Sequence, residues 1–486
     1  MEWIHQTKQR FLRYLLHKKA AELAALSPTV IEQRSESAAI HAFHRARKQS
    51  PFYARLLEEQ GVDPERIRTI SDFQTQVPIV DKKTIYSSDA LKLFPNLLRE
   101  SSGRIWSSSG SSGTCSFGFE PLRQLQAASL GIDFMLDCIY NVTSVRTIVF
   151  NCIPNPWPVI PRFSHYTDLG TRTDIAVHLL EKLSGVYDQF IIGGEPLLLK
   201  KLLEEARAAG SPLERRRIHL ITGGEFVSEH FRQYLLSLLN EGRPATENVD
   251  QSANSVLLTL GLAEFGAGVL FEMPAPAALR ARIVKLPALR DALIGDRPFC
   301  PQIFQHNPFA TYVETPQNDR GKRRLVLTSL DPDAALPLIR YDCGDLAERI
   351  SYNEFIGRAQ RVMPDFRPDG LFPFPFVLAS GKDAAVAASP TAPETSADEA
   401  KELLYSFQGL LPHLTGFFRM TRDKSNAAVR LLVQLGATTE KDDLPPDAVT
   451  QFESAATQRG WIVEWIQHRR FPVSMGLRFD KKFEYV

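Results

Sequence analysis

The central part of the chain alternates short apolar runs with amphipathic stretches. Residues 146–150, 187–194 and 217–222 are apolar runs, and we predict a β-strand at each of them. Residues 196–209 and 228–240 carry apolar side chains at helical spacing after glycine-containing turns. Strand, turn and helix in repeated order are typical of a parallel sheet with helices on its faces. We therefore predict an α/β fold.

The pattern also separates a small C-terminal part. Residues 383–400 are rich in Ala, Pro, Ser and Thr and poor in large apolar side chains, which predicts a loop or linker. Beyond it, residues 402–411, 429–435 and 447–459 return to helix and strand patterns. We predict a small C-terminal domain of helices and strands behind a large N-terminal one.

Composition excludes several classes of protein. Of the 486 residues, 44% are hydrophobic and 23% charged, which permits a large core and excludes disorder throughout. The net charge of +1 provides no field that would attract nucleic acid. The five cysteines include no C-x-x-C pair, and no apolar run reaches 18 residues. We expect no structural zinc, no membrane span and a cytoplasmic location.

A serine- and glycine-rich segment is the strongest local signal for chemistry. Residues 101–116 hold eight serines and three glycines, which predicts a loop. Glycines let a backbone present its N–H groups to an anion, and hydroxyls add donors, so a phosphate cradle is one interpretation and a flexible linker is the other. No Gly-Lys-Ser/Thr follows, so the segment is not a Walker A loop. The candidate phosphate-binding residues are Ser108, Ser109, Gly110, Ser111, Ser112, Gly113 and Thr114.

Carboxylates follow glycines at three further places. Gly223 and Gly224 precede Glu225, Gly261 lies three residues before Glu264, and Gly344 precedes Asp345. Each pair by itself is also what an ordinary solvated turn looks like. A carboxylate at a strand end can accept hydrogen bonds from a ribose diol or offer oxygen ligands to a metal.

The order of these pieces resembles the adenylate-forming superfamily of acyl-CoA synthetases, peptide-synthetase adenylation domains and luciferases. The opening segments 50–53, 61–64 and 77–82 are similar to those of phenylacetate–CoA ligases, so the closest resemblance is to that branch and to acyl-protein synthetases. It covers nearly the whole chain. It implies a large multi-sheet adenylation domain of residues 1–357 and a small mobile α+β domain of residues 358–486.

The resemblance also implies roles for the candidate residues. The Ser/Gly loop would embrace the β- and γ-phosphates of ATP, Glu264 would help to bind Mg²⁺, and Asp345 would bind the ribose hydroxyls. The turn of Gly223, Gly224 and Glu225 would lie beside the adenine, Gly261 would belong to the magnesium motif, and Arg358 in the Gly-Arg pair before the hinge would contact ribose or phosphate.

A lysine near the C-terminus is the main catalytic candidate. Residues 471–483 resemble family tails that end in Pro…Arg-x-x-x-Lys, and the alignment favours Lys482 over Lys481. An exposed basic tail is the alternative. Three features depart from the family. Leu260 and Ala263 replace the tyrosine and threonine of the magnesium motif, Cys115 and Ser116 follow the Ser/Gly loop where the family often has a lysine, and residues 359–361 lack the usual acidic hinge residue.

These features predict an ATP-dependent ligase. It would activate an aryl or medium acyl acid as an acyl-adenylate with release of pyrophosphate, using Mg²⁺, and pass the acyl group to a thiol of CoA or of the phosphopantetheine arm of a carrier protein. One alternative delivers the adenylate to an amine or a protein side chain. The other is a catalytically degenerate homologue that binds nucleotide or a partner without turnover, which the departures at Leu260 and Ala263 and the missing loop lysine would favour.

Overall fold

The computed structural model describes residues 2–97, 99–100, 102–107, 116–153, 160–211, 213–241, 254–382, 397–422 and 429–471. The helices of this part of the chain are α1 (Glu2–Ala24), α2 (Pro28–Gln49), α3 (Pro51–Glu59), α4 (Ile70–Gln76), α5 (Lys82–Tyr86), α6 (Ala90–Leu93), α7 (Leu122–Tyr140), α8 (Thr173–Lys182), α9 (Pro196–Ala208), α10 (Glu229–Asn240), α11 (Pro274–Ile283), α12 (Pro287–Leu293), α13 (Tyr352–Val362), α14 (Ala397–Ser406) and α15 (Pro446–Thr457). The strands are β1 (Val80–Asp81), β2 (Gly103–Ser107), β3 (Phe117–Pro121), β4 (Thr147–Cys152), β5 (His165–Asp168), β6 (Gln189–Gly194), β7 (Ile218–Gly223), β8 (Ser255–Leu262), β9 (Gly266–Phe271), β10 (Gln302–His306), β11 (Thr311–Glu314), β12 (Arg324–Ser329), β13 (Tyr341–Ile350), β14 (Phe376–Lys382), β15 (Leu414–Arg422), β16 (Val429–Leu435) and β17 (Trp461–Ile466).

One large sheet of twelve strands organises most of the chain. Its order is β11-β12-β13-β14-β10-β9-β8-β7-β6-β4-β5, and β1 pairs with β13 outside this path. Strands β4 to β8 pair parallel to one another, whereas β8 pairs antiparallel with β9 and the pairs among β9 to β14 are antiparallel. The strands predicted at residues 146–150, 187–194 and 217–222 are confirmed as β4, β6 and β7. The predicted α/β class is confirmed with them.

A second unit follows the large sheet and packs against it. Its three strands are ordered β15-β16-β17, and α14 and α15 accompany them. The helix α9 lies between the two units and is buried on both sides, since Leu197, Leu199 and Leu203 are buried and even Lys200 is 1% exposed. A helix that is apolar around most of its circumference is a core helix. The two units therefore share one continuous hydrophobic core.

The large sheet extends beyond the boundary predicted at residue 357. β14 pairs with β13 and with β10, so residues up to Lys382 belong to the large unit. A cut at residue 357 would divide α13, whose Phe355 and Ala359 are buried against that same unit. The small unit begins between Lys382 and Ala397 instead. Among the described residues, no helix is long and apolar enough to cross a membrane.

Candidate functional site

The carboxyl ends of three parallel strands meet at one edge of the large sheet. β6 ends at Gly194, β7 at Gly223 and β8 at Leu262, and the register pairs Gly223 with Thr259 of β8. In sheets of this kind, ligands bind outside the carboxyl ends of the strands. The Gly-Gly-Glu turn and Glu264 therefore lie on the side of the sheet where a ligand site is expected.

Both glycines of the Gly-Gly-Glu turn are required by the backbone. A Cβ atom at Gly223 would lie 2.0 Å from the carbonyl oxygen of Thr259, so no side chain fits there. Gly224 has a φ of +90°, a conformation that other residues rarely adopt. Glu225 follows, and its carboxylate Oε2 accepts a hydrogen bond from Lys401 Nζ at 2.9 Å. The turn is thus fixed by close packing on one side and by an ion pair on the other.

Glu264 lies in a short 3-10 turn directly after β8. The turn spans Ala263–Phe265, and the register between β8 and β9 shifts between Leu260 and Leu262, so Gly261 lies at this irregularity. The Glu264 side chain is 6% exposed. Its Oε1 accepts a hydrogen bond from Ser116 Oγ at 2.7 Å. The strand end thus places a nearly buried carboxylate against a serine hydroxyl.

Two further polar groups converge on Glu264. Lys82 Nζ lies 3.7 Å from Glu264 Oε1, and the Tyr341 phenol lies close enough to the same carboxylate for the carboxylate charge to act on it. Burial, followed by the Glu264 charge, raises the pKa of Tyr341 and also that of Tyr86. Both phenols therefore remain protonated at neutral pH. The resulting cluster combines one carboxylate, one ammonium and hydroxyl groups.

The pairing of β1 with β13 brings Lys82 to this cluster. Val80 pairs with Tyr341, and the Asp81 carboxylate caps the next helix by accepting the Thr84 N–H at 2.7 Å. The helix α5 therefore begins at Lys82, next to Tyr341. This placement depends on contacts between segments more than 250 residues apart in the sequence.

The Ser/Gly loop is tied to the same cluster through its last residues. Residues 108–115 lie outside the described part of the chain, and so do all seven residues predicted to bind phosphate. They connect β2 to β3, which pair antiparallel with Ser107 opposite Phe117. Ser116 ends this connection and donates to Glu264. The C-terminal end of the loop therefore lies beside Glu264, as expected if loop and carboxylate serve one ligand.

Asp345 lies further along β13. It follows Gly344, whose φ is +82°, and pairs in register with Lys382 of β14. Asp345 lies four residues after Tyr341 on this strand. At the usual rise per residue, the Cα atoms of Tyr341 and Asp345 are about 13 Å apart. The strand β13 thus links the Glu264 cluster to a second group of charged side chains.

The second group is formed by helix α14 of the small unit. Asp398 lies near Asp345, Glu225 and Lys401, and burial raises the pKa of Asp398 to about 6. Lys401 opposes this shift, whereas the charges of Glu225 and Asp345 add to it. The predicted residues Glu225 and Asp345 are thereby brought into one neighbourhood, together with two residues that the sequence analysis did not include.

Arg358 is placed differently from the expectation. It lies in the middle of α13, where its Nη2 donates to Glu354 Oε1 at 2.5 Å one turn earlier. The helix begins at Tyr352 and is capped by Ser351, whose hydroxyl accepts the Glu354 N–H. Among the residues that the structure describes, Arg358 therefore pairs with its own helix and not with the strand-end residues. The predicted Lys482 and its alternative Lys481 lie outside the described residues.

Five residues of this site were not predicted from the sequence: Ser116, Lys82, Tyr341, Asp398 and Lys401. Ser116 comes from the end of the Ser/Gly segment, whereas the other four come from distant segments. The sequence placed Lys82 only in the segment 77–82 that resembles phenylacetate–CoA ligases, and assigned it no role.

The oxygen atoms of Glu264 are of the kind that could hold a cation bound to the phosphates of a nucleotide. Mg²⁺ in phosphate sites is held by one or two carboxylates together with phosphate oxygens and water. Glu264 supplies one carboxylate beside the end of the Ser/Gly loop. Among the residues that the structure describes, no group of three or more His, Cys, Asp or Glu side chains could enclose a metal by itself. Glu264 is thus a residue that could hold a cation together with phosphate oxygens and water.

Comparisons with known proteins define the fold. No family model matches the sequence, and no curated protein sequence matches it. The chain is similar to a solved structure of 2-hydroxyisobutyryl-CoA ligase in the postadenylation state, with 14% sequence identity and a TM-score of 0.68. The match covers 96% of this chain and 91% of that chain. The chain is also similar to the same ligase with 2-HIB-AMP and CoA in the thioesterification state, with 14% identity, coverage of 94% and 91% and a TM-score of 0.55. The chain therefore has the fold of the adenylate-forming acyl-CoA ligases, as the sequence predicted.

Proposed function

We propose that this protein is an adenylate-forming ligase that activates a carboxylic acid with MgATP and transfers the acyl group to a thiol. The observation that carries the proposal is the hydrogen bond from Ser116 to Glu264. It joins the end of a Ser/Gly loop to a nearly buried carboxylate at a strand end, in a chain with the fold of acyl-CoA ligases.

The phosphate end of the site would consist of the Ser/Gly loop, Glu264 and Lys82. Glu264 would help to hold Mg²⁺, and Lys82 would balance the negative charge of the phosphates. This lysine supplies a cation that the loop itself lacks, since Cys115 and Ser116 follow it where the family often has lysine. Tyr341 would orient the Glu264 carboxylate.

The nucleoside end would lie between the Gly-Gly-Glu turn and β13. Gly223 and Gly224 allow the backbone to approach a flat base closely, and Asp345 would accept hydrogen bonds from the ribose hydroxyls. The proximity of Asp345 and Glu225 to Asp398 supports their assignment to one site.

The chemistry would begin with two anions. A carboxylate oxygen attacks the α-phosphorus of ATP, the bond to the bridging oxygen of the β-phosphate breaks, and pyrophosphate leaves. Positioning and charge cancellation supply most of the catalysis in such a step. A thiolate then attacks the acyl carbonyl and AMP departs. The family resemblance assigns α-phosphate stabilisation to Lys482, and Arg358 would join the site only if its pair with Glu354 opened.

The acid would be an aryl or medium acyl acid, and the acceptor CoA or a carrier protein. The solved relatives are named as CoA ligases, which favours CoA. An amine or protein side chain is the alternative acceptor. A degenerate nucleotide-binding homologue is the alternative to any transfer, supported by Leu260 and Ala263 in the magnesium motif.

Acid-dependent pyrophosphate release tests the proposal. The full-length protein would be incubated with MgATP and a panel of aryl and medium-chain acids, and single-turnover reactions would then receive CoA, a phosphopantetheinylated carrier protein or an amine. Release with one acid class and consumption of the adenylate by a thiol are expected. ATP binding without release across the panel would favour the degenerate alternative.

Matched lysine variants separate site residues from general charge effects. Lys82→Met should lower kcat/KM about 100-fold, as expected for loss of a group that stabilises the transition state. Lys83→Met, an exposed neighbour on the same helix, should retain wild-type activity. Lys482→Ala should abolish adenylation, whereas Lys481→Ala should not. Equal losses in both members of a pair would contradict the assignment.

A further inference from the structure

The helix α14 of the small unit inserts a lysine into the edge of the large sheet. The Lys401 side chain is 3% exposed and ends on the Glu225 carboxylate at 2.9 Å, while Glu225 itself is 19% exposed. A lysine that is this deeply buried needs a partner, because an ammonium without one is strongly disfavoured away from water. The contact is therefore a structural constraint on Glu225.

Asp398 lies one turn earlier on the same face of α14. Its carboxylate packs against Gly381, where an added Cβ would be 1.9 Å from Asp398 Oδ2, and Gly381 has a φ of +83°. Residues three apart on a helix lie on one face. Thus Lys401 reaches the end of β7, and Asp398 reaches the end of β14. One helix face closes the site at two strand ends.

The position of α14 is fixed by packing and does not depend on these charges alone. Tyr405 of α14 packs on Phe231 of α10, with 4.6 Å between ring centroids. The buried Lys200 of α9 donates to the Leu414 carbonyl at 2.7 Å. Both contacts join the two units, so packing as well as charge places Lys401 next to Glu225.

We propose that Lys401 is a positioning residue of the nucleotide site, holding Glu225 and the Gly224 turn in the conformation that receives the adenine base. The large sheet then builds the site and the small unit completes it. This inference rests on the proposed function, since it concerns the same nucleotide.

Double-mutant analysis of ATP binding tests the inference. ATP affinity of the full-length protein would be measured by calorimetry for wild type, Lys401→Met, Glu225→Gln and the double variant. Each single variant should bind ATP about tenfold more weakly, and the double variant no more weakly than either, since contacting residues couple by about 1 kcal/mol or more. In turnover assays KM for ATP should rise while kcat changes little.

Two controls make the result specific. Lys401→Arg keeps the charge and should restore most of the affinity. Lys201→Met removes a half-exposed lysine of α9 that also pairs with a glutamate, and should bind ATP like wild type. If Lys401→Met fails to fold, Glu225→Gln alone is judged by the same criterion.

The outcomes distinguish this inference from the proposed function. Wild-type affinity in Lys401→Met and Glu225→Gln, additive losses in the double variant, or an equal loss in Lys201→Met would overturn the role of Lys401 and leave the ligase proposal standing. A wild-type protein that binds no ATP would overturn both.

Discussion

Arg280 offers the sharpest quantitative test of how the strand-end turn is supported. Its side chain is fully buried, with Nη1 3.0 Å from Glu272 Oε1 and Nη2 donating to the Val227 carbonyl at 3.0 Å. Val227 lies two residues after Glu225, so the guanidinium ties the end of the turn to β9. Glu272 is also fully buried and accepts the Leu258 N–H at 3.1 Å.

Arg280→Met keeps much of the side-chain volume and removes the charge. Glu272 is then left buried with the Leu258 N–H as its side-chain hydrogen-bond donor. Glu229 Oε2, which lies 3.8 Å from Arg280 Nη2, still keeps Arg232 as its partner. Removing one member of a buried pair costs about 3–5 kcal/mol. The loss of two charged hydrogen bonds, at about 1.5–3 kcal/mol each, gives a similar figure.

Urea denaturation followed by tryptophan fluorescence measures this loss. The midpoint should fall for Arg280→Met, and Glu272→Gln in the same chain should restore part of the stability, because a neutral side chain replaces the unpaired carboxylate. We expect the double variant to be about 1–3 kcal/mol more stable than the sum of the single losses indicates. Arg282→Met, at an exposed position of the same helix, should change stability by less than about 0.5 kcal/mol.

Either of two results would refute this reasoning. One is a loss below about 1 kcal/mol for Arg280→Met, which is the range of ordinary substitutions and not of a broken buried pair. The other is strict additivity of Arg280→Met and Glu272→Gln, which would mean that the two charges do not interact.

Three further predictions concern the parallel strands and the residues that follow them. Gly223→Ala should destabilise the protein by about 1–3 kcal/mol, or prevent folding, because the added Cβ meets the Thr259 carbonyl at 2.0 Å; the urea midpoint reports this, and wild-type stability would contradict the close approach. Glu264→Gln should raise the Mg²⁺ concentration needed for half-maximal pyrophosphate release, and an unchanged requirement would remove Glu264 from the metal site. Burial lowers the pKa of His219 to about 4 from an ordinary 6.5, so its contribution to stability is complete above pH 6.5 and is lost towards pH 4, by about 3 kcal/mol. His219→Gln should flatten that part of the stability profile, and identical pH profiles would contradict the prediction.

The sequence alone determined the central elements and the turns between them. Strand and helix periodicities are local properties, so residues 189–194, 196–208 and 218–223 were predicted within two residues of their observed ends. The conformation of the Gly-Gly pair was also predictable, because a glycine in a strand-end turn commonly marks a close approach of two backbone segments or a left-handed backbone. The loop predicted at residues 101–116 was wrong for residues 103–107, which form β2, and residues 108–115 lie outside the described part of the chain.

The boundary of the large unit could not be predicted in this way. The Gly-Arg pair at residues 357–358 was matched to a hinge, whereas the chain forms a helix there. A local signal was present, since Ser351 and Glu354 have the spacing of a helix start and Ser351 caps α13. The membership of β14 in the large sheet was not visible, because it depends on pairing with β13 and β10.

Only the tertiary structure decided which charged groups share a site. Lys82 meets Glu264 because β1 pairs with β13, and Lys401 meets Glu225 because α14 packs on α10. Such contacts join residues more than 170 positions apart, and a single sequence records neither strand pairing nor the docking of one unit on another. Local periodicity specifies the elements, whereas the burial of their shared apolar faces determines which polar side chains are brought together.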